Sequence, residues 1–153
     1  MSRGRRRQAQ RHAREFDAFV AGAGGRLLHA AVLLTGEPPA RAPAAERLLV
    51  SALARTYADW ARLRGDDPYE HTRQELAARF ARQRRRHRRA EGGVLSRLPP
   101  QERLVVVLRH GEGVAEEQAA AGLGLPPERV RALCERGMAA ALSRPRDPVG
   151  DAA

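Results

Sequence analysis

The chain has 153 residues, a net charge of +10 and an isoelectric point near 11.4. That length fits one domain or two small helical lobes, and the charge points to a polyanionic partner. A single cysteine, Cys134, excludes an internal disulfide framework or a thiolate metal cluster. All 28 Lys+Arg residues are arginine, and Lys, Ile and Asn are absent. GC-rich codons explain that bias without any appeal to function, but they do not explain the charge balance.

Residues 1–14 carry Arg3, Arg5, Arg6, Arg7, Arg11 and Arg14 with no acid, which predicts a basic disordered arm. Residues 15–35 place Phe16, Phe19, Val20, Leu27, Leu28, Ala31 and Leu34 at helical spacing. Gly22, Gly24 and Gly25 interrupt them, and each costs roughly 1 kcal/mol against alanine, so a helix weak or broken in its middle is expected. The longest apolar run, around residues 30–34, is too short to span a bilayer, and no signal-like apolar region precedes Glu15 and Asp17. A cytoplasmic protein with no membrane partner is expected.

Pro38, Pro39 and Pro43 mark a loop. Residues 44–63 then predict a helix with Leu49, Leu53, Tyr57 and Trp60 on one stripe and Trp60 in the core. Asp67 as N-cap, Pro68 at the first helical position and Glu70 three residues after the cap start the next helix. It is predicted to run to about Arg89, with Tyr69, Leu76 and Phe80 inward. Its second half carries seven arginines in eleven residues, from Arg79 to Arg89. Cations suit a helix C-terminus, but this number exceeds what the macrodipole accommodates. Arg82, Arg84, Arg85 and Arg86 are therefore candidate phosphate contacts.

Glu91-Gly92-Gly93 reads as a break, making residues 90–93 a short linker between a lobe at 15–89 and a lobe at 94–143. A turn at 94–98 leads into a helix over 101–110 with Leu104, Val107 and Leu108 inward. A short alanine-rich helix at 115–121, a Gly122-Leu123-Gly124-Leu125 turn and a longer helix from Pro126-Pro127-Glu128 to about Leu142 follow. Val130, Cys134, Gly137 and Ala141 are its inward positions. Helix, glycine turn and basic second helix form the pattern of a helix-turn-helix, with Arg129, Arg131 and Arg136 as candidate DNA contacts. Residues 144–153 read as a disordered tail. The fold class is all-α: two small helical lobes, the second a helix-turn-helix domain. The five histidines show no ligand spacing, and no catalytic constellation or phosphate loop is visible, so neither an enzyme nor a metal or other cofactor is expected.

The stretch Ser96-Arg97-Leu98-Pro99-Pro100-Gln101-Glu102-Arg103-Leu104-Val105-Val106-Val107-Leu108-Arg109 resembles the start of the C-terminal domain of extracytoplasmic-function sigma factors, particularly the small actinobacterial kind. Residues 114–142 resemble that domain's promoter-reading helix-turn-helix. Residues 15–36 and 45–60 resemble the opening helices of the promoter-melting domain, and Asp67-Pro68-Tyr69 with the arginine-rich helix is similar to the part that faces the minus-ten element. The resemblance implies transcription initiation or regulation, with promoter DNA, core RNA polymerase and an anti-sigma or other regulator as partners.

The polymerase-facing helix of that family is acidic and carries a glutamine. The matching segment here is Ala44-Ala45-Glu46-Arg47-Leu48-Leu49-Val50-Ser51, so Glu46, Arg47 and Val50 are the candidate polymerase contacts. One carboxylate remains, one position has become a cation, and the amide position is Val50. The aromatic that the family places before its basic run is absent around Arg82-Gln83-Arg84, and Leu133 stands where a basic residue is common. The four-residue linker spans only roughly 15–18 Å extended, shorter than the family's tether. These departures predict weak polymerase binding. They also raise two alternatives: a divergent relative acting as a stand-alone DNA-binding regulator, or an interaction protein that binds a regulator.

Overall fold

A computed structural model describes residues 2–90 and 92–143; the expected tail at 144–153 lies outside the described residues, as does Glu91 of the linker. Six α-helices and three shorter helical turns account for the secondary structure, with no strand among the described residues: α1 (Arg3–Thr35), α2 (Pro43–Ala58), α3 (Pro68–Arg82), α4 (Pro100–Val106), α5 (Glu116–Leu123) and α6 (Pro127–Leu142). The all-α expectation holds.

The basic segment expected to be a disordered arm is instead the first third of α1. Ser2 caps it, its Oγ accepting from the Arg5 N–H at 3.4 Å. The helix also passes unbroken through Gly22, Gly24 and Gly25. Packing on both sides of the glycines explains this. Below them Leu27, Ala30, Ala31 and Leu34 are buried in the core. Above them Phe16 and Phe19 meet Tyr57 and Trp60, with ring centroids 4.9–5.8 Å apart across the two segments, and the Trp60 indole N–H donates to Glu15 at 3.1 Å. Tertiary contacts outweigh local propensity here. A Cβ at Gly22 or Gly25 would meet nothing within 4 Å. Gly22→Ala combined with Gly25→Ala is therefore expected to raise stability by about 1–2 kcal/mol in denaturant titration; a decrease would mean that the helix must flex there.

By length and composition α1 also passes as a membrane-crossing helix, with a mean hydropathy of 1.4 over 18 residues, contrary to the judgement from the run at 30–34 alone. Its buried face belongs to the core of this fold.

In α2 the buried stripe is Ala45, Leu48, Leu49, Ala52 and Thr56 rather than the expected Leu49–Trp60 stripe. Small residues let α1 and α3 approach, while Tyr57 stays exposed and Trp60 half-buried in the aromatic cluster. Thr56 is fully buried and joins α2 to α3: its hydroxyl lies 2.8 Å from Thr72 Oγ1 and 2.9 Å from His71 Nδ1, while His71 Nε2 meets Asp59 at 3.2 Å. This Thr–His–Asp chain was not visible in the sequence. Its hydroxyl has no exposure, so it acts as a pin between helices.

The start of α3 is as expected, with Asp67 accepting from the Tyr69 N–H at 3.0 Å. Glu70 does not close the capping box; its carboxylate accepts from Gln74 and Gln118. Leu76 and Phe80 are buried, and Tyr69 only partly. The helix stops at Arg82, short of the expected Arg89, and a 3₁₀ turn over Arg84–His87 follows. Stacking seven cations along one α-helix is thereby avoided.

The two halves share one hydrophobic core, running from Ala30 and Leu48 through Phe80 and Leu104 to Val130 and Leu133. The glycine break is docked against α1 instead of hanging free. Gly36 caps α1 with φ +70°, and its carbonyl accepts from the Gly93 N–H at 3.1 Å. A Cβ on Gly93 would lie 2.3 Å from that oxygen, and one on Gly36 2.5 Å from the Ala90 Cβ, so only glycine fits either position. At the other end of the junction the Tyr69 hydroxyl donates to Glu112 at 2.5 Å, and Glu112 pairs with Arg26 at 3.4 Å. Burial, then the bond to Glu112, pushes the Tyr69 phenol well above its ordinary range.

Between them lies Arg103 of α4, which is fully buried. It donates to the Leu34 carbonyl at 2.9 Å and to the His87 carbonyl, and its guanidinium sits 5.9 Å from the Phe80 ring centre. Leu34 presents one of the last carbonyls of α1, and His87 ends the 3₁₀ turn. One side chain of the second half thus satisfies two helix ends of the first, at the negative pole of a 33-residue helix.

Candidate nucleic-acid interface

The helix-turn-helix is α5 and α6 joined through Gly124 (φ +65°), with Leu123 and Leu125 packed against the core on either side of the turn. Helix α5 begins with Glu116 and Glu117, which suit a helix N-terminus, and α6 begins with Pro127 and Glu128. Both helices lie within a residue or two of the positions expected. Against α4, α6 packs closely at Gly137, where a Cβ would come 2.7 Å from the Val106 Cγ2. The buried positions of α6 are Val130, Leu133 and Gly137. Leu133 is therefore core, on the inward face of α6, and supplies packing rather than a DNA contact. Cys134 is half-buried rather than fully buried, and burial pushes its thiol upward.

With that face inward, α6 turns Arg129, Arg131 and Arg136 to solvent. Arg131 is 60% exposed, yet its Nε and Nη2 bind the two Glu116 oxygens at 3.0 and 2.9 Å. The hydrogen bond from Arg131 holds the Glu116 carboxyl below the ordinary carboxylate range. The pair is thus intact at neutral pH and is lost only as pH falls through that lowered value. Arg136 lies 3.8 Å from Glu102 of α4, a looser pair, and Arg129 has no ion pair among the described residues. Sequence reasoning found the arginines and missed both glutamates. Their partners are on other helices, 15 and 34 positions away, where helical periodicity gives no signal.

The second candidate patch is divided. Arg82, Arg84, Arg85 and Arg86 are all exposed, but the 3₁₀ turn has three residues per turn, so successive arginines face three directions. Arg84 borders a groove with Phe80, Gln101 and Leu123, whereas Arg86 turns toward α2. Glu46, Arg47 and Val50 lie exposed along α2, with Val50 at 65% exposure. The structure does not bring them near α6; Arg47 instead shares a pocket with Arg86.

Two helices joined by a tight glycine turn, with the second presenting arginines to solvent, define the helix-turn-helix class of DNA-binding segment. Residues 94–140, spanning α4 to most of α6, match the family described as sigma-70, region 4. No curated protein and no solved structure matches the chain.

Proposed function

We propose that the protein is a transcription regulator related to extracytoplasmic-function sigma factors, acting in the cytoplasm, that reads one promoter element through Arg129, Arg131 and Arg136 of α6 while its two lobes move as one body. The observation that carries this is the shared core fastened by Arg103. Lobes joined in this way, through Gly36–Gly93 and Tyr69–Glu112 as well, do not spread to separate promoter elements without breaking those contacts. Arg82, Arg84 and Arg85 add phosphate contacts beyond the element.

Footprinting tests it. The purified chain on a site selected from random duplexes is expected to protect a single patch. Its affinity should fall on the order of 100-fold between 50 and 200 mM salt if about four phosphates are neutralised. Two protected patches separated by a promoter spacer would overturn the one-body reading, and an affinity flat in salt would overturn DNA binding by these arginines.

A second reading, a polymerase-programming sigma factor, is favoured by the exposed α2 face carrying Glu46 and Val50. It requires the lobes to part on core polymerase, and an anti-sigma or other regulator would then act by holding them together.

A further inference from the structure

Helix α2 and the turn after α3 enclose a pocket of about 330 Å³ that the sequence did not suggest. From α2 come Arg47 and Ser51, one turn apart on the same face; from the end of α3 and the 3₁₀ turn come Gln83, Arg86 and His87. Neither Arg47 nor Arg86 forms an ion pair among the described residues. The nearby carboxylate, Glu37, is already committed: its two oxygens accept from the Ala44 and Ala45 N–H groups at 3.1 and 2.8 Å and cap α2. His87 lines the floor: it is only 9% exposed, its ring stacks on Phe80 at 5.2 Å, its carbonyl is held by Arg103, and its Nε2 is buried without a hydrogen-bond partner.

We propose that this pocket binds a phosphate group between Arg47 and Arg86, with Ser51 and Gln83 as further donors and the His87 ring buried at its floor. A tetrahedral phosphate offers acceptors in several directions at once, which suits two guanidiniums on opposite walls plus a hydroxyl and an amide. A single carboxylate is planar and satisfied by one guanidinium. The group belongs either to free phosphate or a phosphorylated small molecule, or to the backbone of bound DNA. None of the pocket's walls comes from α6, so this site and the reading of DNA by α6 stand or fall separately.

Protonation of His87 should be coupled to binding. Burial lowers its pKa first, followed by the charges of Arg103 from α4, Arg86 on its own turn and Arg47 from α2, while Glu37 from the α1–α2 loop opposes them. A bound anion offsets the fields of Arg47 and Arg86 and raises that pKa, so affinity should increase as pH falls through it.

The test follows the His87 imidazole of the full chain by NMR while inorganic phosphate is added at constant ionic strength with chloride as the balance. A second titration uses a short duplex of arbitrary sequence. A saturating shift of His87 is expected, weakened at least tenfold in Arg47→Gln and in Arg86→Gln and unchanged in Arg64→Gln, an exposed control. All three substitutions are at exposed positions, and unchanged melting temperatures would verify that the fold is intact. A shift with phosphate alone identifies the free anion, whereas a shift only with the duplex, still dependent on Arg47 and Arg86, identifies the DNA backbone. No shift in either arm would overturn the site, as would a shift indifferent to both arginines.

Discussion

Replacing Arg103 with alanine is expected to lower folding stability by about 3–5 kcal/mol, the largest loss of any single substitution considered, measured by chemical denaturation. Truncation empties a fully buried volume and strips the Leu34 and His87 carbonyls of their donor. Each unsatisfied buried carbonyl costs about 1–3 kcal/mol, and the cavity adds to that. The guanidinium is an unusual core group because no carboxylate pairs with it among the described residues. Its charge is offset by the C-terminal pole of α1, by the two carbonyls and by the face of Phe80. Arg103→Met separates these contributions: it refills most of the volume and restores neither of the two hydrogen bonds, so a loss of about 2–4 kcal/mol, smaller than for the alanine variant, is expected. Because the side chain bridges the two halves, either variant should also broaden the unfolding transition by weakening the coupling between them. A loss below about 1 kcal/mol for the alanine variant would mean that both helix ends find other donors.

Much of the second half was legible because its signals are local. Pro127 and Glu128 open α6, Gly124 closes α5, and apolar residues three and four apart give the inward faces. Asp67-Pro68 set the start of α3 equally well. What stayed hidden depends on contacts between distant segments. Three glycines argue against a helix until Phe16 and Phe19 on one side and Leu27–Leu34 on the other are seen fixed by α2. An arginine within Gln101-Glu102-Arg103 reads as a solvated charge until two helix ends are found to need it. Arg84-Arg85-Arg86 reads as one basic face only if the α-helix continues, and the change to a 3₁₀ turn sends Arg86 to a different neighbour. The helix-turn-helix was therefore recognisable from sequence, while the pairing of its arginines and the fastening of the lobes were not.

Arg131→Ala is expected to reduce discrimination between the preferred site and random duplex by about 1–3 kcal/mol, measured as the ratio of two dissociation constants. On the proposed function Arg131 stands early in α6, where side chains reach base edges. Glu116 gives this prediction a second arm. A guanidinium has five N–H donors, and Glu116 takes one from Nε and one from Nη2, leaving the end-on fork of Nη1 and Nη2 free. That fork is what a guanine O6 and N7 accept from, so the carboxylate leaves the reading edge available and holds it in one orientation. Glu116→Gln weakens the hold and removes a negative charge facing DNA. Binding to random duplex should then tighten slightly while discrimination falls by about 1 kcal/mol, and Arg131→Ala combined with Glu116→Gln should discriminate no worse than Arg131→Ala alone. If Glu116→Gln instead tightens both kinds of binding and preserves their ratio, Glu116 competes with DNA for Arg131, and the recognition helix is masked by its own neighbour rather than oriented by it.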